Sequence, residues 1–203
     1  MFNGIKPENA LKHFLTITEH KIEVMRGCFK IGLFSQGLLH DLSKYTPDEF
    51  LVGARYYQGN RSPNNAEREA IGYSTSWLHH KGRNRHHYEY WIDYKSSREL
   101  KPGEDIMIPV KMPLKYVLEM MMDRIAASKI YNKGHYRDDY PLKYLVKSYD
   151  VIPMHEETKR LLYALLKMLA VYGEDKTFRF IKTRLLRGNK IKRGHKACGE
   201  EKS

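Results

Sequence analysis

The sequence predicts an all-α fold. Three observations carry this expectation. Apolar residues recur at helical spacing through most of the 203 residues. Helix-start signals stand at Pro7, at Thr46-Pro47-Asp48-Glu49 and at Pro113. No alternating strand pattern runs beyond about five residues.

Pro7 suits a first helical position, and a helix is expected over 8–26. Phe14, Ile17, Val24 and Met25 recur on one side of it, and His13 and His20 lie close in angle. Gly27 and Gly32 loosen the next stretch, but Phe29, Leu33, Phe34, Leu38 and Leu39 keep a helical pattern into His40. Thr46-Pro47-Asp48-Glu49 reads as a capping box, with an N-cap, a proline at N1 and a Glu at N3, opening a helix over 47–57. Residues 59–64 are a loop by composition, followed by a helix over 65–80 that Gly82 stops. Residues 95–108, polar and holding Pro102 and Gly103, read as a surface excursion. Pro113 opens a helix through Asp123 to 130. Residues 131–153 are aromatic and irregular, with Asp138 and Asp139 ending a turn, and 155–172 and 174–186 form a final helical pair.

Apolar residues make up 41% and charged residues 30%, an ordinary globular composition, and the length fits one domain with an appendage. The expected organisation is a helical body over 1–174 and a C-terminal helix with a basic tail over 175–203. No apolar run approaches the ~18 residues that span a bilayer, and the N-terminus lacks the basic-then-apolar order of a signal peptide. These features predict a cytoplasmic protein with no membrane partner. Cys28 and Cys198 alone give neither a disulfide framework nor a Cys-based zinc site. The net charge of +12 is uneven: residues 176–203 carry ten Lys or Arg against Glu200 and Glu201. Such a stretch is either a solvated end or an electrostatic arm for nucleic acid, and both readings stay open. Self-association as a homo-oligomer is left open as well.

The chemistry gathers on His20, adjacent His40 and Asp41, and Asp123. Imidazole nitrogen and carboxylate oxygen together suit one or two divalent ions of Mn, Fe, Co, Ni or Zn. Each of the four residues lies in, or at the end of, a helical segment. Neighbours on a helix point about 100° apart, so His40 and Asp41 reach one ion only near a helix end or from either side of it. Asp123 sits among Met120, Met121, Met122 and Ile125, where a buried carboxylate needs a partner.

The order His…His-Asp…Asp resembles the HD-domain superfamily of metal-dependent phosphohydrolases, and His40-Asp41-Leu42-Ser43-Lys44 looks like its His-Asp-x-x-Lys variant. A closer resemblance is to an uncharacterised branch, a domain of unknown function in bacterial and phage proteins. Its recognisable signature here is the segment 77–91, with His79-His80 and His86-His87. The likeness covers roughly residues 8–172. It implies an HD-like helical bundle in which His20, His40, Asp41 and Asp123 hold the first ion. Asp41 would be the catalytic centrepiece, able to bridge to a second. Binuclear members add histidines, one group as an adjacent pair, and His79 and His80 match that pattern best. This chain departs from it in carrying a second pair and no Gly-Tyr-Pro. His86 and His87 are accordingly expected on the substrate side, with Lys44 as a point charge and Arg83 as a fork for a phosphate.

The implied activity is hydrolysis of a phosphomonoester or phosphodiester, with a nucleotide as the expected substrate. Two alternatives stand beside it. One is a di-iron oxygenase using the same fold, marked by six protein ligands and bound iron. The other is a nucleic-acid-binding protein with a vestigial site. His13, His135, His155 and His195 match no ligand pattern and are expected to be structural or exposed, and the Met120–Met122 run is expected in the core.

Overall fold

The computed structural model describes residues 4–187 except 97 and 99. Among them eight α-helices and one two-stranded pairing make an all-α protein, 68% helical. The chain runs α1 (Pro7–Ile31), α2 (Phe34–Leu39), α3 (Pro47–Arg55), α4 (Pro63–Ile71), α5 (Thr75–Arg83), α6 (Leu114–Tyr131), α7 (Tyr140–Val146) and α8 (Glu156–Phe180). Strands β1 (Ile92–Tyr94) and β2 (Met107–Pro109) pair antiparallel at the base of the excursion over 95–106. The basic tail beyond Arg187, with His195 and Cys198, lies outside the described residues. No described helix is long and apolar enough to cross a membrane.

The core lies where α1, α6 and α8 meet. Val24, Cys28 and Ile31 of α1, Leu118, Met121, Met122 and Ile125 of α6, and Leu162, Leu166 and Leu169 of α8 are all buried at three-to-four-residue spacing. That spacing is what sets a helical apolar face, and burying each large side chain contributes about 1.5–3 kcal/mol. Met120, Met121 and Met122 are core residues, as expected. His13 is structural too: it is buried, with its ring against Phe50 and Tyr57.

Four local features differ from the expected elements. Gly27 does not loosen α1. A Cβ there would come within 2.8 Å of Met122 Sδ, so Gly27 serves the close approach of α6, and α1 continues to Ile31. The expected helix over 65–80 is two helices, because Gly72 turns the chain in the left-handed region at φ 85° and Ser74 caps α5 by accepting from the Trp77 amide at 3.1 Å. The helix then passes through Gly82 to Arg83. The capping box is not formed. Thr46 Oγ1 donates instead to the Ser43 carbonyl at 2.7 Å, and Glu49 turns inward. The irregular stretch over 131–153 contains α7, with Asp139 at its N-cap position.

The final helical pair is present as expected: two helical segments within α8 meet at a bend at Gly173, whose φ 76° and ψ 174° are non-helical and occupy a region essentially reserved for glycine. A Cβ there would also meet Asp138 Oδ2 at 3.3 Å. Beyond the bend Thr177, Phe178 and Ile181 are buried, so the segment following residue 174 packs onto the same core as the body. Gly173→Ala is expected to lower stability by about 1–3 kcal/mol, read from urea midpoints, with little change at the site described next.

Candidate metal centre

The site is assembled from α1, the turn after α2, the end of α5 and the middle of α6. Gly37 sets the α2 approach: a Cβ there would lie 3.0 Å from Cys28 Cβ and 3.2 Å from Met25 Cα, so only glycine lets α2 sit this close to α1. Lys21, next to His20, then reaches across and donates to the carbonyls of Leu38 at 2.8 Å and His40 at 2.7 Å, closing the C-terminal end of α2. Directly after it Asp41 takes φ 53°, the one described non-glycine residue with positive φ, a conformation Asp tolerates better than most. This tight turn lets adjacent His40 and Asp41 face one point, a convergence that a continuous helix forbids.

Around Asp41 the donors fall into two sets. Oδ2 lies 3.2 Å from His40 Nε2 and 3.9 Å from His20 Nε2. Asp123 Oδ1 completes that side, 2.9 Å from His20 Nε2 and 3.8 Å from His40 Nε2. Oδ1 faces the other way, 3.3 Å from His80 Nε2 and 3.4 Å from His86 Nε2. His87 Nε2 joins it, 2.9 Å from His80 Nε2. Within each set of four residues the ligand atoms all lie within 4.8 Å of one another. Bonds of about 2.0–2.2 Å place opposite donors of one ion about 4 Å apart, so both sets fit an ion.

The polar bookkeeping points the same way. His40 Nε2, His86 Nε2 and Asp41 Oδ1 are buried with no hydrogen-bond partner, whereas Asp41 Oδ2 has the Lys44 ammonium at 2.6 Å and His20 Nε2 has Asp123 Oδ1 at 2.9 Å. Buried polar atoms are ordinarily satisfied, because leaving one unpaired costs roughly 1–3 kcal/mol. Three such atoms around Asp41 form a cradle for a cation.

The electrostatics agree. Burial alone raises the carboxyl pKa of Asp41, but the charges of His40 and Lys44 outweigh it and hold the group well below the usual carboxylate range. Burial likewise pushes Asp123 up, but His20, His86 and His40 together hold it well below the usual carboxylate range. Burial disfavours charged His40, yet Asp41, Glu119 and Asp123 lift it to about 9. His87 goes the opposite way, far below the ordinary imidazole value, through burial and then its neighbours His86 and His80.

A family model described as "Family of unknown function (DUF5662)" matches residues 9–168. The chain belongs to that family. No curated protein and no solved structure matches it. The family match spans both donor sets of this DUF5662 chain, from His20 to Asp123, and ends within α8.

The structure joins His20, His40, Asp41 and Asp123 as the sequence leads one to expect, and brings His80 to Asp41. His79 is not with them. One helical position away, its Nδ1 meets Glu49 Oε1 at 2.6 Å and its Nε2 lies 3.4 Å from Asp48 Oδ2. The adjacent pair beside Asp41 is His86-His87, expected on the substrate side. α5 ends at Asn84, whose amide donates to the His80 carbonyl at 2.9 Å and to Ser43 Oγ at 2.8 Å, and the chain doubles back to set both rings beneath His80. Lys44 lies at the site, with Nζ 2.6 Å from Asp41 Oδ2. Arg83 is exposed at the end of α5, with no contact joining it to the centre.

Sequence reading passed over Glu49 and Glu119 of this DUF5662 chain. Glu49 Oε2 accepts from His80 Nδ1 at 2.7 Å. Glu119 Oε1 lies 3.0 Å from His40 Nδ1 and 3.2 Å from His86 Nδ1. The signal for Glu119 is its place one helical turn before Asp123 on an otherwise apolar α6 face. Glu49 carried no such signal, because its position also fits a capping box.

Proposed function

We propose that this chain is a two-metal hydrolase of phosphate esters, with a phosphomonoester or phosphodiester of a nucleotide as its substrate. The observation that carries the proposal is Asp41, whose two oxygens each face a separate set of His and Asp donors. His20, His40, Asp41 and Asp123 would hold one ion, and Asp41, His80, His86 and His87 the other. The nitrogen and oxygen donors suit Mn, Fe, Co, Ni or Zn. Bound there, divalent ions lower the pKa of water toward neutrality and neutralise phosphate oxygens. The HD-type kinship suggested by the residue order is part of this proposal, and the metal arrangement supports it.

The protein's own residues supply positioning. Lys44, half-buried beside Asp41 on the first set, offers a fixed positive charge to a phosphate oxygen. His40, Asp41, His80 and His86 are buried, so charges at the site interact more strongly than they would in water. A buried, free Cys28 accords with a reducing, cytoplasmic setting.

One observation favours a second reading, a di-iron oxygenase: the two sets that share Asp41 offer ligand atoms from seven residues, not four, and Glu119 stands with His40 and His86 as a further group. A panel of phosphomonoesters and phosphodiesters, assayed with Mn, Co and Fe, separates the two. Turnover is the expected result. No turnover on any ester, with dioxygen consumed by the iron-loaded protein, would replace the hydrolase with the oxygenase. Within the hydrolase reading, Lys44→Ala is expected to keep its metal and lose roughly 10- to 100-fold in kcat/KM, for a charged contact worth about 1.5–3 kcal/mol. Unaltered kinetics would remove Lys44 from the substrate side.

A further inference from the structure

We infer that Glu119 couples the two ion subsites, so that filling one prepares the other; this rests on the two-ion reading above. Glu119 is buried on α6, one turn before Asp123. Its single oxygen Oε1 meets His40 Nδ1 at 3.0 Å and His86 Nδ1 at 3.2 Å. His40 belongs to the first donor set and His86 to the second. A carboxylate only accepts, so each imidazole presents Nδ1–H to it and leaves Nε2 as the atom that faces Asp41 and would meet an ion. The two rings also lie against one another, 4.4 Å apart between centroids.

Glu49 provides the contrast. Its oxygens serve His80 at 2.7 Å and His79 at 2.6 Å, and only His80 belongs to a donor set. Glu49 therefore supports the second subsite alone, whereas Glu119 spans both. An ion that fixes His40 also fixes Glu119 and, through the shared oxygen, the His86 ring. The second ion then meets an oriented ligand and binds with less ordering to complete, which is positive coupling between sites.

The test is titration of metal-free full-length protein with cobalt(II), followed by calorimetry and by the visible absorption of the bound ion. Wild type is expected to take up two ions, the second no more weakly than the first. Glu119→Gln keeps the shape and loses the charge, and is expected to weaken both ions by roughly 10- to 100-fold. Glu119→Asp keeps the charge but draws it back by one methylene. It is expected to show the same paired loss, and it serves where the Gln variant does not fold. Glu49→Gln is expected to weaken one ion only. Paired loss at Glu119 with single loss at Glu49 supports the coupling. Unchanged affinities in both Glu119 variants, or loss confined to one ion, overturns it while leaving two-ion binding intact. Three ions in wild type and two in Glu119→Gln would make Glu119 a ligand and also overturn it. A wild-type chain that binds a single ion removes the two-ion reading itself.

Discussion

Asp41→Asn is expected to abolish binding of both ions and all metal-dependent turnover, while the protein stays helical and folded. Asp41 is the one residue common to both donor sets, with one oxygen toward His20 and His40 and the other toward His80 and His86. Asn keeps the side-chain size and tolerates φ 53° about as well as Asp, so the turn after α2 survives. What disappears is the negative charge that the imidazoles and Lys44 surround. A neutral amide cannot bridge two divalent ions, so the loss should exceed the roughly 10- to 100-fold that follows removal of a residue merely supporting a ligand. Circular dichroism would report the fold and elemental analysis the metal. Full stoichiometry in the variant would show that the ions, if bound, lie elsewhere.

The second large effect concerns the histidine-rich segment. His80→Ala and His86→Ala are each expected to reduce the metal content from two ions to one, because each removes an Nε2 facing Asp41 Oδ1 at 3.3–3.4 Å. His79→Ala is expected to leave two ions bound, since that ring points to Glu49 and Asp48. The contrast between adjacent His79 and His80 follows from the roughly 100° step between helical neighbours. Metal per chain after exhaustive dialysis checks it. Equal losses at His79 and His80 would mean that α5 sits differently against α3 than described.

Much of the fold was legible because its signals are local. Pro7, Pro47 and Pro113 mark the start of α1, α3 and α6, and apolar residues recur at helical spacing along α6 and the first part of α8. Glycine was the weaker guide. Gly27 and Gly82 stand within helices, while Gly72 and Gly173 break or bend them, and the difference lies in backbone angles set by tertiary contacts. The first donor set was legible in the same way, through the conjunction of His20, His40-Asp41 and a carboxylate in an apolar helix. The second was not. His79-His80 and His86-His87 are equivalent as text, and what separates them is the chain reversal that Asn84 sets up through Ser43, forty-one positions away. The partners of the ligands were hidden for a similar reason. Glu49 reads as a capping residue until α5 packs against α3, and Glu119 reads as one polar break in a core helix until His86 arrives beside it.

Elemental analysis of the wild-type protein, purified without added metal and then saturated with Mn, Fe, Co or Zn and dialysed, tests the central claim most directly. Two divalent ions per chain is the predicted result. A folded chain that retains none of these metals at saturation would contradict the account, leaving the orphaned atoms around Asp41 without the cation that explains them.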